Sequence, residues 1–219
     1  MRYLVLSDIH GGSAELERAL TYFDQYQCDY IVLLGDLLNH GPRNRVPDSY
    51  QPPKVAEMLN AYSTKIISVR GNCDSEVDSM MFNFPCNAPY GYIIVSQPDE
   101  VAAASAAANA AAQGVPQRTK TQRIFLTHGH LHKIDSPDGS GMNELRDKLG
   151  LHENDIVLSG HTHVAGIFLK PSGLVNINPG STTIPKGGTK AGFALILEDH
   201  IELRDLDDNL VARYDFVFE

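Results

Sequence analysis

The chain has 219 residues, 42% hydrophobic and 21% charged, with a formal net charge of −9. That length suits one globular domain able to bury roughly 70% of the surface its unfolded form exposes, and the composition is neither that of a disordered nor of a membrane chain. An acidic balance without a Lys/Arg cluster disfavours extended binding to nucleic acid or to an anionic membrane surface, and no apolar run approaches the roughly 18 residues that a spanning helix needs.

Residues 3–6 read as a buried strand that stops at Asp8, too soon for the core of a secretory leader, so the expected compartment is the cytoplasm. A helix is expected over 14–25, with Ser13 as its N-cap, Glu15 in the first turn and Leu16, Ala19, Leu20 and Phe23 as its apolar stripe. Strands over 30–34 and 65–69 bracket a helix over 53–62. Residues 99–122 are rich in alanine, which favours helix but offers little area to bury, so they read as a tolerated insertion in preference to a functional lid. Strands over 124–127 and 156–159 then flank a helix over 141–149. From Val164 onward short strands alternate with Pro/Gly turns, followed by strands over 193–197, 200–205 and 210–218. Alternating strands and helices predict βαβ crossovers, and the closing hairpins add antiparallel strands. The three cysteines, Cys28, Cys73 and Cys86, have no metal-type spacing and fit reduced thiols, not a disulfide framework.

The polar residues that close the five central strands form a pattern. They are Asp8-Ile9-His10, Gly35-Asp36, Gly71-Asn72-Cys73-Asp74, His128-Gly129-His130 and Gly160-His161-Thr162-His163. Ligands of open α/β sheets collect at the carboxyl edge of the strands, where residues distant in sequence converge. Any one of these fragments is an ordinary turn or cap, but five in order point to a metal site. Oxygen and imidazole donors without a thiolate cluster suit Mn2+, Zn2+, Fe2+, Co2+ or Ni2+ in a catalytic site, not a structural zinc. Two carboxylates, Asp8 and Asp36, neutralise only part of the charge of two divalent ions, and the excess would draw a phosphate into an otherwise acidic protein.

In this order, D-x-H, G-D, G-N-C-D, T-H-G-H and S-G-H-T-H resemble the calcineurin-like metallophosphoesterase superfamily. The stretches GDLLNHGPRN, VRGNCD and NPGSTTIP resemble its small bacterial branch, the YfcE-like phosphodiesterases. The motifs run from Asp8 to about Pro185, and only 99–122 departs from the compact pattern. The resemblance implies a layered α/β sandwich of mixed β-sheets flanked by helices around a binuclear metal centre, with Mn2+ the first expectation for both ions. Carried over residue by residue, it places Asp8, His10, Asp36 and His163 on one metal and Asn72, His128, His161 and the shared Asp36 on the other. Asp36, Asn72, Cys73 and His128 then form the catalytic set, and a hydroxide bridging the metals attacks a small phosphodiester. His130 matches no ligand and is expected to support one.

Many members of the superfamily carry histidine directly after the metal-binding Asn, where this chain has Cys73. A thiol is a poor substitute for an imidazolium as proton donor or positive charge, so monoesters with poor leaving groups should suffer. His40, Arg43 and Asn44 follow the second metal-bearing strand and are candidates for contacting the non-transferred part of the substrate. Two alternatives remain open: a phosphomonoesterase, and a non-catalytic protein-binding scaffold like the retromer subunit of the same fold. A homo-oligomer is also left open.

Overall fold

The computed structural model describes residues 1–98, 119–136 and 138–218. The first unit runs β1 (Tyr3–Leu6), α1 (Ser13–Gln25), β2 (Tyr30–Leu33), α2 (Pro52–Asn60) and β3 (Ile66–Ser68). A short helix α3 (Glu76–Ser79) follows, then β4 (Tyr90–Pro98), β5 (Thr119–Thr127), α4 (Ser140–Leu149) and β6 (Ile156–Leu158). The chain closes with β7 (Gly166–Leu169), β8 (Val175–Asn178), β9 (Gly192–Ile196), β10 (His200–Asp205) and β11 (Leu210–Asp215).

Two mixed sheets result. One has the order β11-β10-β9-β1-β2-β3, with β1, β2 and β3 parallel; the other has the order β4-β5-β6-β8-β7, with β5, β6 and β8 parallel. Alternation along each strand sorts the apolar residues into layers, because successive side chains point to opposite faces. Tyr3, Val5, Val32 and Leu34 pack with Ile124, Leu126, Ile156, Leu158 and Ile177 between the sheets. Leu4, Leu6, Ile31 and Leu33 face the other way, onto Leu16, Leu20 and Phe23 of α1 and Val55 and Leu59 of α2. On the far side, Phe125 and Val157 pack against Met142 and Leu145 of α4. The order of layers is therefore helices, sheet, sheet, helix. This is the expected layered sandwich, and β1, β6 and β9 are buried at every position and apolar along their length.

The expected cap of α1 is displaced by one residue. Gly12 is the N-cap and Ser13 is already helical; its hydroxyl donates 2.9 Å to the Ser49 carbonyl, tying the helix start to the loop before α2. Only glycine fits at 12, because a Cβ there would lie 2.3 Å from Thr183 Cγ2. The edge strand β4 has no counterpart among the expected strands, and β5 begins at Thr119, so residues 119–122 of the alanine-rich segment are strand; the rest of that segment lies outside the described residues. Among the described residues no helix is long and apolar enough to cross a membrane.

Candidate metal centre

The parallel strands of both sheets deliver their carboxyl ends to one edge, and the turns that follow them are backbone-strained. Asp8, His10, Asp36, His161 and His163 all have φ between 47° and 70°. Asp and His tolerate this left-handed region better than most residues, but five of the candidate ligands sharing it is a cost that a site imposes, not one that a turn prefers. Gly35, at φ 92°, lets β2 pass so close to Gly71 that a Cβ would sit 2.4 Å from the Gly71 nitrogen. This close approach brings the loop after β3 onto Asp36.

The ligand atoms fall into two groups that meet at one oxygen. Asp8 Oδ1 lies 3.2 Å from His163 Nε2 and 3.7 Å from His10 Nε2, and the two imidazole Nε2 atoms are 3.2 Å apart. Asp36 Oδ2 lies 3.7 Å from His10 Nε2 on that side and 3.4 Å from His128 Nε2 on the other, while His128 Nε2 is 3.2 Å from Asn72 Oδ1. His161 joins neither tight group; its ring stands 5.2 Å from that of His128, and its backbone N–H donates to Asp8 Oδ2.

Neighbouring hydrogen bonds decide which atoms are free. Each carboxylate has one oxygen tied down: Asp8 Oδ2 accepts from Ser7 Oγ and the His161 N–H, and Asp36 Oδ1 accepts from the Cys73 N–H at 2.7 Å. The imidazoles are held the same way, with Nδ1 of His10, His128 and His163 donating to the carbonyls of Asn39, Leu34 and Ile184 at 2.7–2.8 Å. This fixes the tautomer that leaves Nε2 bare. Asp8 Oδ1 is buried and accepts no hydrogen bond among the described residues. A buried carboxylate oxygen without a partner, facing nitrogen lone pairs 3.2 Å apart, is unfavourable unless a cation or a proton stands between them. The donor set therefore fits divalent metal.

Before a cation binds, protons do part of this work. Burial would raise the Asp8 carboxyl, but the imidazoles of His10 and His163 that face it and the charge of His128 hold it well below the usual range; burial of Asp36 is likewise outweighed by His128. Burial would lower His128, yet Asp36 and Asp8 raise it to about 9, and Asp8 raises His10 against burial in the same sense. Metal must displace these protons. Below about pH 9 affinity should therefore rise with pH, roughly tenfold per unit for each proton released, and flatten above it. Titration calorimetry of Mn2+ at pH 7, 8 and 9 in buffers of different ionisation enthalpy measures both the slope and the proton count; equal affinity at all three would show that no proton is displaced.

His130 lies beside the group, its ring 5.3 Å from that of His128 and 6.1 Å from that of His161. Burial and those two imidazoles lower it to about 4, so it stays neutral. A cavity of about 800 Å3 opens on the centre, walled by Asp36, Asn72, Cys73, His161 and His163 together with Arg43 and Asn44. His40 is not on that wall: its ring packs edge-on against Tyr50, and its carbonyl accepts from Asn44 Nδ2. Burial and Asp36 push the Cys73 thiol up to about 12 before any cation is bound.

Three contributors were not singled out from the sequence. Asp74 turns away from the cavity and accepts the N–H groups of Asp36, Leu37 and Gly71 at 2.7–2.8 Å. Ser181, within the NPGSTTIP stretch, donates to the Asp8 carbonyl at 2.6 Å. Lys186 lines the cavity and donates to Asn44 Oδ1. The signal for the first was a carboxylate two residues past the metal-type Asn; Ser181 lies inside the quoted stretch and Lys186 directly follows it, and neither was read as part of the site.

The model of the calcineurin-like phosphoesterase superfamily domain matches residues 1–200. Phosphodiesterase YfcE of Escherichia coli strain K12 is 37% identical over 211 residues, 96% of this chain and 95% of that protein. The solved structure of YfcE, described as a phosphoesterase, aligns with a TM-score of 0.77 at 36% identity over 99% of this chain and 100% of that one. Vps29 of Entamoeba histolytica, solved in complex with zinc, aligns with a TM-score of 0.56 at 18% identity over 99% and 100% of the two chains, a likeness of fold alone.

Proposed function

This chain belongs to the calcineurin-like phosphoesterase superfamily, and on that footing we propose that it is a divalent-metal-dependent phosphodiesterase acting on a small phosphodiester. The observation that carries this reading is the pair of carboxylates, each with one oxygen pinned and the other facing bare imidazole nitrogens. A protein-binding scaffold does not require such a set.

Asp8, His10, His163 and Asp36 would hold one cation and Asp36, Asn72 and His128 the other, with His161 completing the second set from beside His128; Mn2+ is the pair we expect, in a cytoplasmic enzyme. When bound, the two ions supply Lewis acidity for the phosphoryl oxygens and lower the pKa of the attacking water. The chain's own groups orient the reaction. Asn72 Oδ1 stands next to His128, and its Nδ2 donates 3.1 Å to the Cys73 sulfur, so the amide is aimed by both neighbours. Cys73 offers a neutral thiol where many relatives place an imidazole. It supplies little positive charge to a departing alkoxide, which favours esters whose leaving group is already stabilised.

Protein loaded with Mn2+ should hydrolyse bis(p-nitrophenyl) phosphate, lose that activity on chelation and regain it on adding the metal back, with p-nitrophenyl phosphate turned over more slowly. Full activity after chelation would overturn metal dependence, and a faster monoester would establish the phosphomonoesterase alternative.

A further inference from the structure

The cavity is larger than the phosphoryl group at its floor requires. At about 800 Å3 it lies in the upper part of the range of sites that hold whole small molecules, about 300–1,000 Å3. Its wall carries two cations, Arg43 and Lys186.

Their partners set them apart from the other cations of this acidic chain. Exposed cations elsewhere commonly sit on carboxylates, as Arg2 does on Glu198, Arg18 on Asp207 and Lys190 on Asp205. Arg43 forms no ion pair among the described residues, and Lys186 Nζ meets only the neutral oxygen of Asn44, at 2.9 Å. Both ends of the Lys186 arrangement are held. Its backbone N–H donates 2.9 Å to the carbonyl of His163, a candidate metal ligand, and Asn44 is anchored by donating 2.9 Å to the His40 carbonyl. An ammonium hydrogen-bonded to one amide oxygen keeps two donors, and a guanidinium offers paired donors that match a phosphate. Besides Asp36, one other carboxylate, Asp135, lines the cavity.

We propose that Arg43 and Lys186 form a subsite for a second phosphate, carried by the ester arm that stays on the phosphorus after hydrolysis. The subsite rests on the phosphodiesterase reading above and adds its substrate class: phosphodiesters that bear a further phosphate. An aryl diester occupies only the floor of such a site.

The test uses a matched pair of chromogenic diesters on the Mn2+-loaded protein: thymidine 5′-(p-nitrophenyl phosphate) and the same ester carrying a 3′-phosphate. The wild type should favour the 3′-phosphorylated ester by about tenfold or more in kcat/KM, roughly what one charge-assisted hydrogen bond supplies. Arg43→Gln and Lys186→Gln should each reduce that ratio, and the double variant should bring it near one. Calorimetry of thymidine 3′,5′-bisphosphate against thymidine 5′-monophosphate gives a readout free of turnover, with the same preference expected in the wild type and lost in the double variant. Equal handling of the two esters, or a preference that survives in the double variant, overturns the subsite while leaving the phosphodiesterase reading intact. Failure of every diester to react overturns that reading instead, and the calorimetric preference then decides the subsite alone.

Discussion

Asp36→Asn should lower kcat/KM on an aryl diester by about 10³-fold or more, the largest loss of any single substitution in the centre, equivalent to about 4 kcal/mol of transition-state stabilisation. The two oxygens of Asp36 have different tasks. Oδ1 accepts the Cys73 N–H at 2.7 Å, whereas Oδ2 faces His10 on one side and His128 on the other. An asparagine keeps the first bond only by placing its carbonyl at Oδ1, which turns its NH2 group toward His10 and His128; flipping the amide sets that NH2 against the Cys73 N–H. Either orientation loses the negative charge that faces those two imidazoles and presents hydrogens where a lone pair is needed. Calorimetry should show Mn2+ affinity weakened at both sites together, and the metal-free variant should melt below the wild type, because the charge that His128 holds in its ionised form is removed from a buried pair. Near-normal turnover with two ions bound would show that the bridge lies elsewhere.

What could be read from the sequence followed from chemistry confined to short windows. An apolar run closed by Asp, Asn or His announces a strand end with a task, and the candidate ligands Asp8, His10, Asp36, Asn72, His128, His161 and His163 were each visible in this way. The layered class followed from the alternation of strand and helix. The pairing did not, because β1 lies between β2 and β9 through contacts 27 and about 190 residues apart, a choice made by packing between two sheets and not by local preference. Strand β4 was missed for a related reason: as an edge strand it exposes Tyr92 and Ile94 while burying Ile93 and Val95, so a run of apolar letters hides a half-buried alternation. At the site, sequence proximity placed His40 with Arg43 and Asn44, yet the turn at Gly41 sends the His40 ring against Tyr50 and leaves the other two on the cavity. Lys186 is the converse case, a lysine remote from every quoted ligand except through the backbone bond to His163.

Asp74→Ala is expected to have the second largest effect, although this carboxylate contacts no ligand atom. Its Oδ2 accepts the N–H of Asp36 at 2.8 Å and that of Gly71 at 2.7 Å, and its Oδ1 accepts the N–H of Leu37 at 2.8 Å. Gly71 in turn has no room for a side chain, because a Cβ would lie 2.1 Å from Asp36 Oδ1. Three backbone donors from two loops thus converge on one side chain, and together they set where the turn carrying Asp36 lies relative to the turn carrying Asn72. Alanine orphans all three in a partly buried place, at about 1–3 kcal/mol for each donor left without a partner. With partial access of water, a total of about 3–5 kcal/mol is expected, and for a chain of this size that lowers Tm by about 10 °C. Metal affinity should fall a further 10–100-fold, the usual cost of removing a group that orients a ligand. Asp74→Asn separates the two effects. Its single carbonyl can replace Oδ2 and keep the donors from Asp36 and Gly71, while its NH2 opposes the Leu37 N–H, so it should retain much of the Mn2+ affinity and lose only part of the stability. Measuring Tm and Mn2+ affinity in both variants decides the role: an alanine variant that melts early but binds metal as tightly as the wild type would make Asp74 a stabilising side chain with no part in positioning Asp36.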